Sequence, residues 1–461
     1  MIPLSLAEVA AATGGTLTAA ADPAAQVTGG VVTDSRAVGP GDLFVALAGE
    51  RVDGADFAPQ ALSAGAVAVL GGRDLGLPGV VVDDPAQALG RLARAVVDRL
   101  GPTVVAVTGS SGKTTTKDLL ADVLSRLGPV VAPQGSYNNE IGLPVTALRC
   151  EPGTRVLVSE MGARGTGHIA YLCTITPPQV SIALNVGSAH LGEFGSREAI
   201  ATAKGEIVEA LAPSGLAVLN ADDPLVSAMA ARTRARVTTF GESAGADVRA
   251  DDVVLDAAGR ASYTLRDATG ASRVSLRLVG EHQVSNTLAV AAVARYLGMS
   301  LDEVAAALSE AAPSSRWRME VTERPDGVTV VNDAYNANPE SMRAGLKALV
   351  SIAGPRRSWA VLGEMRELGE TALAEHDAIG RLAVRLDVDR LVAVGEGARA
   401  IHLGAAHEGS WGRESVWVPD VAAAVALLTA EVEPGDVVLV KGSRLVGLEA
   451  VAHALLEGDG S

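Results

Sequence analysis

The sequence predicts an α/β protein made of three consecutive units, each a sheet of mainly buried strands covered by helices. Three observations carry that expectation. The chain has 461 residues, room for about three domains at roughly 150 residues each. Hydrophobic residues make up 48% of it and aromatic ones only 3%, so Ala, Val, Leu and Gly must fill closely packed layers. Short apolar runs alternate with helical patterns along most of the chain, as in parallel sheets with helices on both faces.

Residues 1–98 form the first unit. Ser5 and Glu8 have capping-box spacing, which predicts a short opening helix. DLFVAL (42–47), AVAVL (66–70) and VVVDD (80–84) read as strands, and QALGRLARAVVDRL reads as the closing helix. Gly101-Pro102 then punctuates the chain.

The second unit, 99–313, opens with the buried-type strand TVVAV, a polar loop, and a helix on which Leu119, Val123 and Leu127 recur at helical spacing. Further strand–loop–helix units follow at RVLVSEMG, VSIALNVGSAH and LAVLNADD. From about 235 to 280 the pattern alternates (RASYTLRDATGASRVSLRLVG), which predicts an antiparallel excursion in a doubly wound, mostly parallel sheet. The third unit, 314–461, carries strands at VTVVN, SWAVLG, RLVAVG and DVVLVKGS with helices between them. That pattern is Rossmann-like, but no G-x-G-x-x-G follows its first strand.

The bulk properties exclude several classes. A formal net charge of −16 argues against nucleic acid as a partner. Any anionic substrate then needs a locally cationic pocket. Cys150 and Cys173 are too few for a disulfide framework or a structural zinc site, and read as free thiols of a reducing compartment. No uncharged apolar stretch reaches the roughly 18 residues of a membrane span. The start, MIPLSLAEVAAATGG, has no basic leader region, so a cytoplasmic protein is expected.

The chemistry concentrates in a few places. TGSSGKTTTK departs from G-x-x-x-x-G-K-[ST], because Val107 stands where the first glycine belongs. A glycine-rich turn between strand and helix still offers backbone N–H groups and a positive helix end to phosphate. Thr108, Gly109, Ser110, Ser111, Gly112, Lys113, Thr114 and Thr115 are therefore the candidate ATP or GTP loop, with Lys113 on the β/γ phosphates and Thr114 on Mg²⁺.

Glu160, at the end of RVLVS, is either a hard oxygen ligand for Mg²⁺ or a solvated carboxylate. His190 alone reads as a structural or surface histidine, and Lys204 alone as a solvated helix lysine. Asn138-Asn139 either holds a polar ligand or builds a turn. In VVNDAYNANPESM, Asn338 before Pro339 explains a helix cap, while Asp333 and Asn336 remain for ligand binding. Arg316 and Arg318 flank Trp317 at a unit boundary, where arginine serves either a phosphate or a salt bridge.

In this order, DSRAVGPGDLFVAL, TGSSGKTTTK, NNEIGLP, SEMGARGTGHI, NVGSAHLGEFGS, AKGEI, GEHQVSN, NDAYNANPESM, VLGEMRELG and VKGSR cover nearly the whole chain. Together they resemble the Mur ligases, the ATP-dependent amide-bond enzymes of peptidoglycan precursor synthesis. DAYNANP and VLGEMRELG point to the branch that adds D-alanyl-D-alanine. That family's phosphate loop has the shortened T-G-x-x-G-K-T form, which accounts for Val107.

The resemblance implies a UDP-sugar-binding domain, a central ATPase domain and a Rossmann-like domain for the amine, expected as a monomer. It implies UDP-MurNAc-tripeptide and D-Ala-D-Ala as substrates, with ATP and Mg²⁺. Ser35 and Arg36 would then contact the UDP-linked substrate, and Asn138 and Asn139 its sugar-peptide part. Glu160 and His190 would serve Mg²⁺ together with Thr114, and Lys204 matches a lysine carbamoylated in these ligases. Asn286, Arg316 and Asp333 match nucleotide-binding positions, while Asn336 and Asn338 would face nucleotide and dipeptide. Lys113, Glu160, His190, Lys204 and Arg316 are the expected catalytic set. Arg164 to His168 receive no role.

Overall fold

The opening helix forms where the capping box predicts it. Ser5 caps Leu6–Thr13 and Glu8 returns the bond to the Ser5 amide. The computed structural model describes residues 1–49, 52–187, 191–312, 314–409, 412 and 414–457. Beyond this helix the first unit is a five-stranded sheet in the order Thr16–Leu17, Gly79–Val81, Ala68–Gly71, Leu43–Val45, Val31–Val32. Only its first pair is antiparallel.

The helix Pro85–Leu100 starts on the Asp84 cap and ends at Gly101, whose φ of 61° suits a residue without a Cβ. A boundary at residue 98 therefore falls inside this helix. Its apolar face (Leu89, Leu92, Ala93, Val96) joins one core with Val104 and Ala106 of the next unit. The first two units thus share a continuous apolar seam.

The central sheet has nine strands, in the order Gly270–Val279, Arg260–Asp267, Val248–Leu255, Arg236–Gly241, Leu216–Asn220, Val180–Ala183, Thr103–Thr108, Val156–Glu160, Val130–Val131. Every pairing is parallel except the last two of the excursion, Val248–Leu255 with Arg260–Asp267 and the latter with Gly270–Val279. Arg236–Gly241 belongs to the parallel part, so the antiparallel excursion begins later than the alternation suggests.

Alternate residues of Thr103–Thr108 face opposite layers. Val104 and Ala106 meet the shared seam, while Val105 and Val107 meet the helices Lys113–Leu124 and Gln283–Tyr296. From this strand the chain first fills one side of the sheet and then crosses to the other. Its carboxyl end is therefore a topological switch point, where open α/β sheets leave a crevice.

The third unit is a six-stranded sheet in the order Glu320–Glu323, Thr329–Asp333, Val437–Lys441, Ser358–Leu362, Arg390–Val394, Ser415–Val418. All pairs are parallel except the first. The exposed edge strand EVTE escaped the sequence reading because it has no apolar run. Asn338 caps Pro339–Ala353 with Pro339 in the first turn, as the sequence predicts. No helix among the described residues is long and apolar enough to cross a membrane.

Candidate active site

The phosphate loop is shaped by close contacts that only glycine permits. A Cβ on Gly109 would lie 2.9 Å from Cβ of Leu184. One on Gly112 would lie 2.4 Å from Oδ1 of Asn286, and Gly112 has a φ of +81°. Thr108 is buried and donates to the Met161 carbonyl at 2.9 Å, fixing the loop's entry. Helix Lys113–Leu124 has no side-chain cap, so its first N–H groups remain for an anion. Asn185 Oδ1 accepts from the amides of Ser110 and Ser111 at 3.0 and 2.9 Å, and Lys113 Nζ donates to the Gly109 carbonyl at 2.6 Å. Burial lowers the Lys113 ammonium from its ordinary value, against the pull of Glu160 and with the push of Arg318.

A cavity of about 280 Å³ opens over this loop, and residues of the third unit close its far wall. Glu160 ends its strand 1% exposed. Asn138 Nδ2 donates to Glu160 Oε1 at 2.8 Å and Thr114 Oγ1 lies 3.4 Å from the same oxygen, while Oε2 is buried with no partner among the described residues. Such an orphaned anionic oxygen fits Mg²⁺, a hard cation that takes one or two protein oxygens and fills its shell with water and phosphate. No group of three or more His, Cys, Asp or Glu among the described residues forms a preassembled cage.

Lys204 sits on helix Arg197–Glu209, 3% exposed, with no hydrogen bond or ion pair among the described residues. Burial first, then the charge of Lys113, hold its amine well below the ordinary lysine value. A charged ammonium would not fit beside a metal, whereas a carbamate there would offer an oxygen. The sequence alone suggested a solvated lysine. Packing of the helix against the central sheet removes it from water instead. His190 lies outside the described residues.

Of the two arginines flanking Trp317, the one that lines the pocket is Arg318, not the expected Arg316. Arg316 is exposed, whereas Arg318 Nη2 donates to Thr114 Oγ1 at 3.2 Å and to Ser136 Oγ at 3.3 Å, with its guanidinium 4.2 Å above the Tyr335 ring. The cause is backbone conformation. Trp317 and Met319 have φ of 59° and 51°, and this twist turns Arg318 inward.

Asp333 is held by Lys441 Nζ at 2.6 Å and by the Met319 amide at 3.1 Å. With Gly112, Thr115, His282 and Asn286 it lines an adjoining cavity of about 320 Å³. Asn338 does two jobs: Oδ1 caps its helix at Ser341, and Nδ2 donates to the Ser110 carbonyl at 3.3 Å. Asn336 is exposed and lines the first cavity, as does Asn139, whose Oδ1 also accepts from the Gly142 amide at 2.8 Å.

Ser35 and Arg36 are not brought to this cavity. They occupy a short helix in the first unit, and Arg36 pairs with Asp34 at 2.7 Å with 84% of its side chain exposed. Arg164 and His168, left without a role, do line the cavity beside Glu140. Ser136, Asn185, Tyr335 and Lys441 also went unassigned. Tyr335 and Lys441 lie inside DAYNANP and VKGSR, motifs that were legible, but their contacts are long-range.

Three models of one family match the chain: "Mur ligase family, catalytic domain" over residues 28–96, "Mur ligase middle domain" over 107–294 and "Mur ligase, glutamate ligase domain" over 317–444. The UDP-N-acetylmuramoyl-tripeptide--D-alanyl-D-alanine ligase of Mycobacterium tuberculosis is 52% identical, with 100% of this chain and 99% of that one covered. The crystal structure of MurF from Acinetobacter baumannii superposes with a TM-score of 0.90 at 34% identity over 99% of both chains. MurF ligase from Thermotoga maritima in complex with ADP gives 0.82 at 33% identity, over 94% of this chain and 98% of that one. A shortened phosphate loop facing an orphaned carboxylate is thus matched by likeness over the whole length, and the chain belongs to the Mur ligase family.

Proposed function

We propose that this chain joins D-alanyl-D-alanine to UDP-N-acetylmuramoyl-tripeptide at the expense of ATP, giving the pentapeptide, ADP and phosphate. One observation carries the reading in atomic terms. Lys113 and Glu160 of the central unit meet Arg318, Tyr335 and Asn338 of the third around a single polar cavity. Residues 1–98 would hold the UDP-linked sugar, 99–313 the ATP, and 314–461 the incoming dipeptide.

The first step brings two anions together. A peptide carboxylate oxygen attacks the γ-phosphorus of ATP, and ADP leaves to give an acyl phosphate. At 4 Å and an effective dielectric of about 20, the repulsion of two unit charges is about 4 kcal/mol. Lys113 and Arg318 supply two fixed cations against it, already oriented by the Gly109 carbonyl and the Tyr335 ring. Glu160 and Thr114, with a carbamoylated Lys204, would hold Mg²⁺, which when bound neutralises charge on the transferred group.

In the second step the dipeptide amine attacks the acyl carbon, phosphate leaves, and the nitrogen gives up a proton. An α-amino group near pKa 8 is already partly neutral at physiological pH and needs little help from a base. Water would hydrolyse the acyl phosphate, so enclosure matters. The third unit supplies it where Asn338 bonds Ser110 and where the Gly192 amide meets the Glu367 carbonyl at 3.3 Å. ATP chemistry and two buried free thiols support a cytoplasmic site of action.

The test is ADP release with each substrate withheld in turn, alongside mass analysis of the peptide product. Turnover that needs both the UDP-linked tripeptide and D-Ala-D-Ala is expected. ADP release indifferent to the dipeptide would overturn the assignment, and so would preference for a single amino acid.

A further inference from the structure

The mechanism uses neither Lys117 nor Asp118, although both are charged and buried on the phosphate-loop helix, 2% and 7% exposed. They are adjacent in sequence, so they do not share a helix face as spaced pairs do. Lys117 Nζ pairs with Asp118 Oδ1, donates to the Pro133 carbonyl at 3.0 Å and lies 3.5 Å from Ser315 Oγ. Asp118 Oδ2 accepts the Ser315 amide at 3.1 Å. A buried ion pair is seldom a net gain over apolar side chains of the same size, so its retention calls for a reason of geometry.

That reason lies in what Ser315 leads to. Only Arg316, Trp317 and Arg318 separate it from Met319, whose amide is bonded by Asp333 at 3.1 Å. Asp333 is itself clamped by the buried Lys441. The segment is therefore pinned at both ends by a carboxylate that a buried lysine holds, one in the central unit and one in the third. Between the pins, Trp317 and Met319 adopt positive φ. Such conformations in non-glycine residues are strained and persist only where their surroundings over-determine them. The outcome of the twist is Arg318 at Thr114 and Ser136.

We propose that the buried Lys117–Asp118 pair is a positioning device that holds segment 315–319 in its twisted form and so delivers Arg318 to the phosphate site. The proposal rests on the ligase reading for the meaning of that site. Neither Lys117 nor Asp118 lines the cavity, so their effect passes through the segment.

A double-mutant cycle in kcat tests this. Asp118→Asn has one acceptor oxygen where the carboxylate uses two, so either Lys117 or Ser315 loses its partner. We expect it to lower kcat on the order of 10-fold or more, as misplacement of a catalytic group does, with KM for the UDP-linked tripeptide unchanged. In an Arg318→Ala background the same change should cost less than about two-fold, because the group it positions is gone. Equal factors in both backgrounds would overturn the proposal.

If Asp118→Asn does not fold, as judged by thermal unfolding, Ser315→Pro takes its place in the cycle. It withdraws the amide donor and leaves the buried pair intact. The cycle can also be read on ADP affinity by calorimetry, which needs no ligation. Failure of the unaltered chain to ligate would therefore sink the ligase reading and leave this proposal decidable.

Discussion

Asn138 donates a 2.8 Å hydrogen bond to Glu160 Oε1 and leaves Oε2 of the same carboxylate buried without a partner among the described residues. One oxygen is thus tied to the scaffold, and the other is kept for a cation. Glu160→Gln keeps the shape and removes the charge. It should lower kcat on the order of 10²-fold and raise the Mg²⁺ concentration needed for half-maximal rate. Rates measured across a Mg²⁺ titration check both. A variant with unchanged Mg²⁺ demand would take Glu160 out of the metal site.

Two arginines two residues apart should behave oppositely. Arg318→Ala removes the guanidinium bonded to Thr114 and Ser136 and should cost at least about 10²-fold in kcat/KM. Arg316 is exposed, and Arg316→Ala should change stability by no more than about 0.5 kcal/mol and leave turnover near normal. Steady-state kinetics of the two variants side by side decide the matter, and the reverse ranking would restore Arg316 to the site.

That pair of arginines shows where legibility in the sequence ends. The phosphate loop, the Ser5 and Asn338 caps and the strand of Glu160 are local features, and spacing alone reveals them. The choice between Arg316 and Arg318 depends on φ at Trp317 and Met319, which Asp118 and Asp333 impose from distant parts of the chain. The same holds for Lys204, whose helix reads as ordinary until the sheet beneath it removes the amine from water. Asn185 supports the loop amides across 74 and 75 residues of chain, and no local pattern announces that.

Gly112 is the loop position least tolerant of change. Its φ of +81° is strained for any L side chain, and an added Cβ would meet Asn286 Oδ1 at 2.4 Å. Gly112→Ala should lose about 1–3 kcal/mol of stability and bind ADP at least about 10-fold more weakly. Adding Asn286→Ala relieves the contact but not the dihedral, so only part of the stability should return. Thermal unfolding and calorimetry separate the two effects, and full recovery would show that φ is harmless there.

Both thiols should be inert in the folded chain. Burial pushes Cys150 up to about 11 and Cys173 up to about 12, so neither forms thiolate near neutral pH. Iodoacetamide at neutral pH should leave activity and mass unchanged, and label both residues only after denaturation. Rapid labelling of the native protein would contradict the burial.

Lys204 makes the sharpest link between site and stability. Its amine is held well below the ordinary value of 10.5 in the folded chain, while the unfolded chain keeps that value. Between the two values the unfolded state binds a proton that the folded state has released. The group's contribution to stability is therefore fully favourable above 10.5 and is lost as pH falls towards the folded value. Lys204→Met abolishes this dependence, because it places a neutral chain where an amine was buried. The variant should be more stable than the unaltered protein near pH 7, with the gap closing as pH rises. Urea unfolding at about pH 7 and about pH 9.5 measures that difference at both ends. The neutral amine that burial favours is also the form that attacks CO₂, so bicarbonate should add one CO₂ to the native protein and not to the variant. Lys204→Ala should be inactive and regain part of its rate with short carboxylic acids, which replace the carbamate oxygens. A folded Ala variant that no such acid revives would leave Lys204 as a buried amine with no part in holding the metal.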